Sequence, residues 1–264
     1  MKKYFVIGNP INHSLSPKLQ NWWLKENNIN ATYDKIKLEE HEIKNFIQDI
    51  KEQKIAGCNV TVPFKKKVIP FLDKLSHEAE QTQSVNTITF DNGDLVGHNT
   101  DIGGFDAAIK KLNFKIKGKK VLILGAGGVV PSIIFALKNM HVQEITISNR
   151  TRDRVENLKV LFNNIKTLEW GDLTDFHMII NATSLGLNNE KINLDFQSLG
   201  HDKLFYDVIY NPQETPFLKA GKQLGHKTEN GKTMFIYQAL EAFKLWHNIE
   251  PKVNTDIFNL LDND

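Results

Sequence analysis

The sequence predicts an α/β fold built as two successive units, and three observations predict it. Short apolar runs of strand length alternate with helical periodicities along the 264 residues. That alternation restarts near Ile102–Phe105, and a chain this long has room for about two domains. One later run, Val121–Leu124, passes straight into a glycine turn, Gly125–Gly128, followed by a helical pattern.

The first unit opens with Tyr4–Ile7 as a short buried strand, stopped at Gly8-Asn9-Pro10. Ser16-Pro17 starts a helix, with serine as cap and proline at the first helical position. Thr32–Leu38 alternates as a strand does, Glu42–Gln53 has helical periodicity and Gly57–Val62 reads as a strand. Lys65–Leu75 is expected to be helical. Thr87–Phe90 and Leu95–Gly97 flank Asp91-Asn92-Gly93, a hairpin turn. Together these imply a mostly parallel sheet covered by helices.

Asp101–Gly104 leads into a helix over Phe105–Leu112, and Lys115–Lys120 forms a polar link. The second unit then runs strand Lys120–Leu124, helix Pro131–Met140, strand Glu144–Ser148 and helix Arg152–Phe162. Strands Met178–Ala182 and Leu204–Val208, helix Pro216–Leu224, a long helix Thr233–His247 and a short one at Asp256–Leu261 complete it.

Composition removes several function classes. A net charge of +2 offers no wholesale attraction to nucleic acid or an anionic membrane. The single cysteine, Cys58, excludes intrachain disulfides and multi-cysteine zinc sites. The histidines have no paired-ligand spacing, so no metal is expected. No apolar stretch approaches the ~18 residues of a membrane span, and the first apolar run is too short for a secretion signal. The expectation is a soluble, cytoplasmic chain with a small-molecule substrate and neither nucleic acid nor membrane as partner.

The glycine turn permits close backbone approach to a pyrophosphate at a helix N-terminus, although Val130 stands where a third small residue is usual. A turn of this kind alone could be a plain strand–helix connection. The following strand carries more weight. It ends in Asn149-Arg150-Thr151 with no carboxylate to accept bonds from a ribose, and arginine there suits a 2′-phosphate. Of 33 basic residues only three are arginine, namely Arg150, Arg152 and Arg154. That concentration points to NADP(H), while Arg152 and Arg154 also read as a solvated helix start.

In the first half, Ser14, Ser16, Asn59, Thr61, Lys65, Asn86 and Asp101 fall where strands meet helices. Singly each has an ordinary reading: Ser16 and Asp101 as helix caps, Lys65 as part of the solvated run Lys65–Lys67. Together with their neighbours they carry a family resemblance. The segments are Ile7–Pro10, Ser14–Pro17, Asn59–Lys65, Val85–Thr87, Gly97–Asp101, Gly125–Gly128, Asn149–Thr151, Asn181–Ser184, Asp207 through Tyr210 to Pro212, and Gly231–Met234 with Gln238. In that order, over nearly the whole chain, they resemble shikimate dehydrogenase.

The resemblance implies two α/β domains. Residues 1–103, with 238–264 packing back on them, would form the substrate-binding and catalytic domain. Residues 104–237 would form a Rossmann-like NADP-binding domain. The implied reaction is reversible hydride transfer between NADPH and the C3 carbonyl of 3-dehydroshikimate, a step of aromatic amino acid biosynthesis. Lys65 and Asp101 match the catalytic pair. Ser14, Ser16, Thr61, Asn86, Tyr210 and Gln238 match residues holding shikimate, with Asn59 in the shell around them. Gly125, Ala126, Gly127, Gly128, Val129, Asn149, Arg150, Thr151, Arg154, Thr183, Val208, Gly231 and Met234 match the cofactor site. Alcohol oxidation by hydride loss leaves a proton on oxygen, and a lysine steadied by a carboxylate can take it. Two other readings stay open on sequence: a quinate/shikimate dehydrogenase with relaxed cofactor use, and a non-catalytic NADPH-binding sensor. Monomer and homodimer are equally compatible with the chain.

Overall fold

Tyr4–Ile7 lies within strand β1 (Lys2–Gly8) of the computed structural model, which describes residues 1–262. Helix α1 (Ser16–Glu26), β2 (Ala31–Lys37), α2 (Ile43–Lys51) and β3 (Gly57–Val60) follow. In α2, Ile43, Phe46, Ile47 and Ile50 are buried, the spacing of one helical face turned to the sheet. Next come β4 (Lys74–Leu75), α3 (His77–Thr82), β5 (Thr87–Asp91), β6 (Asp94–His98) and α4 (Asp101–Lys111). The strands form one sheet in the order β2-β1-β3-β5-β6-β4. Its first three strands are parallel, and the β5–β6 hairpin makes the rest mixed. Asn92 and Gly93 turn that hairpin with φ of 50° and 93°, as a two-residue loop of this hand requires.

Residues 65–75 do not form the expected helix. They run as turns, with one 3₁₀ turn at Ile69–Phe71, before β4. Pro70 supplies no N–H and disfavours helical backbone at Ile69. Tertiary ties replace the helix: Val85 N–H donates to Lys65 O at 2.9 Å, and Phe64 and Val68 are buried in the core. Strand β3 ends at Val60 and α4 begins at Asp101, so both elements differ from expectation by a few residues.

The second series comprises β7 (Lys120–Leu124), α5 (Val130–Asn139), β8 (Glu144–Ser148), α6 (Arg152–Leu161), β9 (Lys166–Leu168) and β10 (Met178–Asn181). It continues through β11 (Leu204–Asp207), α7 (Pro216–Gln223), β12 (Lys227–Glu229), α8 (Lys232–His247) and α9 (Thr255–Asp262). All its strand pairs are parallel, in the order β12-β11-β10-β7-β8-β9. This is the doubly wound order, with its reversal between β7 and β10. Val121–Leu124, Met178–Asn181 and Leu204–Asp207 are buried throughout, as expected of parallel strands covered on both faces.

The chain divides into one unit of Met1–Gly104 with residues from Ile236 onward, and a second of Phe105–Phe235. In the first unit the later part of α8 packs on the sheet. Trp246 Nε1 donates to Ile88 O at 3.1 Å, and a side-chain carbon on Gly57 would lie 2.6 Å from that nitrogen. Trp23 and Phe243 meet edge to face at 5.7 Å, and Gln20 Nε2 donates to Ala239 O at 3.0 Å. Fully burying side chains of this size contributes about 1.5–3 kcal/mol each, so packing holds the helix where it is. No helix among the described residues is long and apolar enough to cross a membrane.

Candidate active site

Eight of the expected site residues lie in the first unit, and most of them gather at the ends of β1, β3, β5 and β6. Lys65 Nζ and Asp101 Oδ2 form an ion pair, with side chains only 11% and 8% exposed. Asn86 Nδ2 donates to Asp101 Oδ1 and to Thr100 Oγ1, both at 2.9 Å, and reaches Gln238 Oε1 at 3.4 Å. The Thr100 N–H donates back to Asn86 Oδ1 at 2.8 Å. Asp101 sits at the first position of α4, where a carboxylate is favoured. Its own N–H donates to Asn99 Oδ1 at 3.2 Å, and Asn99 Nδ2 donates to Thr82 Oγ1 at 2.9 Å.

A second polar chain adjoins the first. Tyr33 donates to Asn59 Oδ1 at 2.6 Å and shares a hydrogen bond with Ser16. Burial pushes the Tyr33 phenol well above its ordinary range, and nearby Cys58 adds to this while Ser16 pulls the other way. The ring therefore stays a neutral donor. Asn59 Nδ2 in turn donates to Thr87 Oγ1 at 2.9 Å and to Asn86 O at 3.0 Å. Ser14 Oγ accepts from Ser16 N–H at 3.3 Å, which orders the entry to α1. Thr61 follows β3 and packs over Gly8, where a side-chain carbon would lie 2.6 Å from the Thr61 methyl.

Thus the first unit brings Lys65, Asp101, Asn86 and Gln238 into one network, with Asn59 and Ser16 in a linked one. Tyr210 belongs to the second unit, where it stacks on Phe235 at 4.4 Å. Tyr33, Thr87, Asn99 and Thr100 join these networks without having been expected there. Only the polar run Asn99-Thr100-Asp101 hints at the last two in sequence, and nothing local marks the buried role of Tyr33.

In the second unit the residues matched to a dinucleotide collect along the C-terminal ends of the strands. Gly125 has φ of 110°, and a side-chain carbon there would lie 2.8 Å from Ala182 O. Only glycine fits. A side-chain carbon on Gly127 would meet nothing nearer than Ala182 O at 3.8 Å, so the backbone is open to a close ligand. Ala126, Gly128 and Val129 complete the turn into α5. Beside it, the end of β8 presents Asn149, Arg150 and Thr151, and Asn149 Nδ2 donates to Thr151 O at 2.8 Å. Arg150, Arg152 and Arg154 are exposed, and none forms an ion pair among the described residues. Exposed guanidiniums without carboxylate partners beside an open glycine turn fit a phosphorylated dinucleotide.

Across the reversal, Thr183 follows β10, Val208 follows β11, and Gly231 precedes α8, in which Met234 is buried. A side-chain carbon on Gly231 would lie 2.0 Å from Val208 O, so the backbone alone occupies that place.

Comparison with known proteins identifies the family. Residues 6–88 match the shikimate dehydrogenase substrate binding domain, and residues 106–187 match shikimate / quinate 5-dehydrogenase. The NADP(+) shikimate dehydrogenase of Pelagibacter ubique is 56% identical over 264 residues, covering 99% of this chain and 100% of that protein. The crystal structure of shikimate dehydrogenase from Aquifex aeolicus superposes with a TM-score of 0.89 at 33% identity, covering 100% of this chain and 98% of the other. That of shikimate 5-dehydrogenase from Thermus thermophilus, in complex with NADP(H) and shikimate, has a TM-score of 0.90 at 28% identity and covers 99% of each chain. A full-length relative at this identity, with both family domains matched in order, means that the chain belongs to the shikimate dehydrogenase family.

Proposed function

We propose that this protein is an NADP-dependent shikimate dehydrogenase, interconverting 3-dehydroshikimate and shikimate. The observation that carries the reading is the enclosed Lys65–Asp101 pair, joined through Asn86 to Gln238. A binding module or sensor has no use for a shielded proton-transfer pair.

When bound, NADP(H) supplies or accepts the hydride at the C3 carbon. The residues of the chain manage the proton. In the reducing direction the Lys65 ammonium donates a proton to the oxygen that becomes the hydroxyl. In the oxidising direction the neutral Lys65 amine takes it back. Asp101, held by Asn86, keeps the lysine nitrogen aimed at that oxygen. In the first unit Ser14, Ser16, Thr61, Asn86 and Gln238 hold the carboxylate and ring hydroxyls, and Asn59 supports Ser16 through Tyr33. On the cofactor's side, the Gly125–Gly128 turn receives the pyrophosphate, and Arg150, with Asn149, Thr151 and Arg154, receives the 2′-phosphate.

The test is the formation of reduced nicotinamide by the purified protein with shikimate and NADP+, repeated with quinate and with NAD+. Turnover of shikimate with NADP+ is expected, together with a fall in kcat of roughly 10²–10⁴-fold in Lys65→Ala. Cofactor binding without turnover of shikimate would overturn the reading in favour of a sensor.

A further inference from the structure

We propose that Asp207 is a positioning residue for the nicotinamide half of the cofactor site, fixing the wall made by Thr183, Val208 and Gly231. The proposal rests on the NADP(H)-dependent reading above. In a doubly wound sheet the dinucleotide lies across the strand-order reversal, one nucleotide over each half. Here the glycine turn and Arg150 belong to β7 and β8, so the second nucleotide is bordered by the ends of β10 and β11. Asn181 ends β10, Asp207 ends β11, and the two are direct neighbours in register.

The Asp207 side chain is buried, and three of the four hydrogen bonds to its carboxylate come from segments that shape this border. Asn181 Nδ2 donates to both oxygens at 3.1 Å, Ile209 N–H donates at 3.0 Å and Thr215 Oγ1 at 2.6 Å. Asn181 passes the constraint to the β10 side. Its Oδ1 accepts from the Thr183 N–H at 3.1 Å and the Thr183 hydroxyl at 2.7 Å, and its Nδ2 also reaches Leu185 O at 3.0 Å. Ile209 passes it to the β11 side, because its carbonyl accepts from Gly231 N–H at 3.0 Å, where Val208 O leaves no room for a side chain. One carboxylate therefore organises three residues matched to the cofactor site.

Its environment is costly for a purely structural group. Asp207 makes no ion pair among the described residues, and burial holds its carboxyl up at about 6 while its hydrogen-bond donors pull it down. An ionised carboxylate is acceptor-only, which lets it take four donor contacts at once. Asparagine in its place would aim an NH₂ at groups that are themselves donors.

The test compares two ligands in direct binding measurements, such as calorimetry: NADPH, and 2′,5′-ADP, which carries the adenosine half and the 2′-phosphate but no nicotinamide. For Asp207→Asn the expected result is NADPH affinity reduced by about tenfold or more. Affinity for 2′,5′-ADP should stay within about twofold of wild type. Equal losses for both ligands, or no loss for either, would overturn the proposal. Should Asp207→Asn fail to fold, Thr215→Val removes one donor to the carboxylate together with the α7 cap that accepts from Leu218 N–H, and a smaller split between the two ligands in the same direction, about threefold, is expected, its absence again counting against the proposal. Failure of the underlying reading is distinct, since the wild-type protein would then bind neither ligand.

Discussion

Asn86 holds Asp101 from the side opposite Lys65: its amide donates to Asp101 Oδ1 at 2.9 Å, while the lysine takes Oδ2. The carboxylate is thus fixed in rotation, and with it the direction in which the lysine nitrogen is held. Asn86→Ala would release the carboxylate and leave the buried Thr100 N–H without its acceptor. We expect kcat/KM to fall by roughly 10²-fold through misplacement of the pair. Stability should drop by about 1–3 kcal/mol. Steady-state kinetics and urea unfolding check the two effects separately, and wild-type kcat/KM would contradict the positioning role.

Arg150 offers a guanidinium with no carboxylate partner among the described residues. A charge-assisted contact to a phosphate contributes about 1.5–3 kcal/mol, so Arg150→Ala should raise KM for NADP+ by about 10–100-fold. KM for NAD+ should stay nearly unchanged, since no 2′-phosphate is lost. Arg150→Lys keeps a point charge but not the planar fork, and an intermediate value is expected. Parallel loss with both cofactors would show that Arg150 supports the fold rather than the phosphate.

Gly231→Ala places a carbon 2.0 Å from Val208 O. Neither backbone can yield freely, because Gly231 N–H is already bonded to Ile209 O. The overpacking cost is expected to be about 1–3 kcal/mol, or a Tm lower by at least about 3 °C. A thermal melt matching wild type would mean that the turn relaxes without cost.

His247 packs against Phe243 at 4.4 Å and Tyr4 at 5.0 Å, and burial, with a smaller push from Lys2, takes its imidazole down to about 4. The unfolded chain therefore binds this proton first as pH falls, so stability is full above about 6.5 and is lost progressively toward about 4. Because the ring keeps some solvent access, the loss is discounted to roughly 1–2 kcal/mol. Asp207 acts in the opposite sense. With its carboxyl held up at about 6, it contributes stability at low pH that disappears as pH rises through that value. Urea midpoints measured from about pH 7 down to about pH 4.5 should show a shallower acid-side decline in His247→Phe than in wild type. Identical slopes would mean that the imidazole is not held neutral.

These cases show what can be read from local sequence and what cannot. The Rossmann-like half is legible because Val121–Leu124 runs directly into Gly125–Gly128, and Arg150, one helix and one strand further on, gives that turn its meaning. The pairing of Lys65 with Asp101 is legible only through the family pattern, since nothing in either segment names the other. Lys65–Leu75 misleads because its helical periodicity outweighs Pro70, while the hydrogen bond from Val85 that shapes the segment comes from elsewhere in the chain. Strands β4, β9 and β12 escape such a reading because two or three residues carry no period, and a neighbouring strand makes them strands. The structural weight of Tyr33 and Asp207 is hidden for the same reason. Their importance lies in distant partners, Asn59 and Asn181, and not in the residues beside them.

The gathering of every arginine at the β8–α6 junction has a practical consequence. A dicarbonyl reagent that modifies guanidinium groups normally labels a protein diffusely. On this chain it can react at only three side chains, all exposed and all within five positions of one another. An arginine-specific protease would likewise open the backbone only between β8 and the first turn of α6. Bulk reagents of either kind become, for this protein, site-directed probes of a single loop, and protection by a bound dinucleotide could be followed without introducing any substitution.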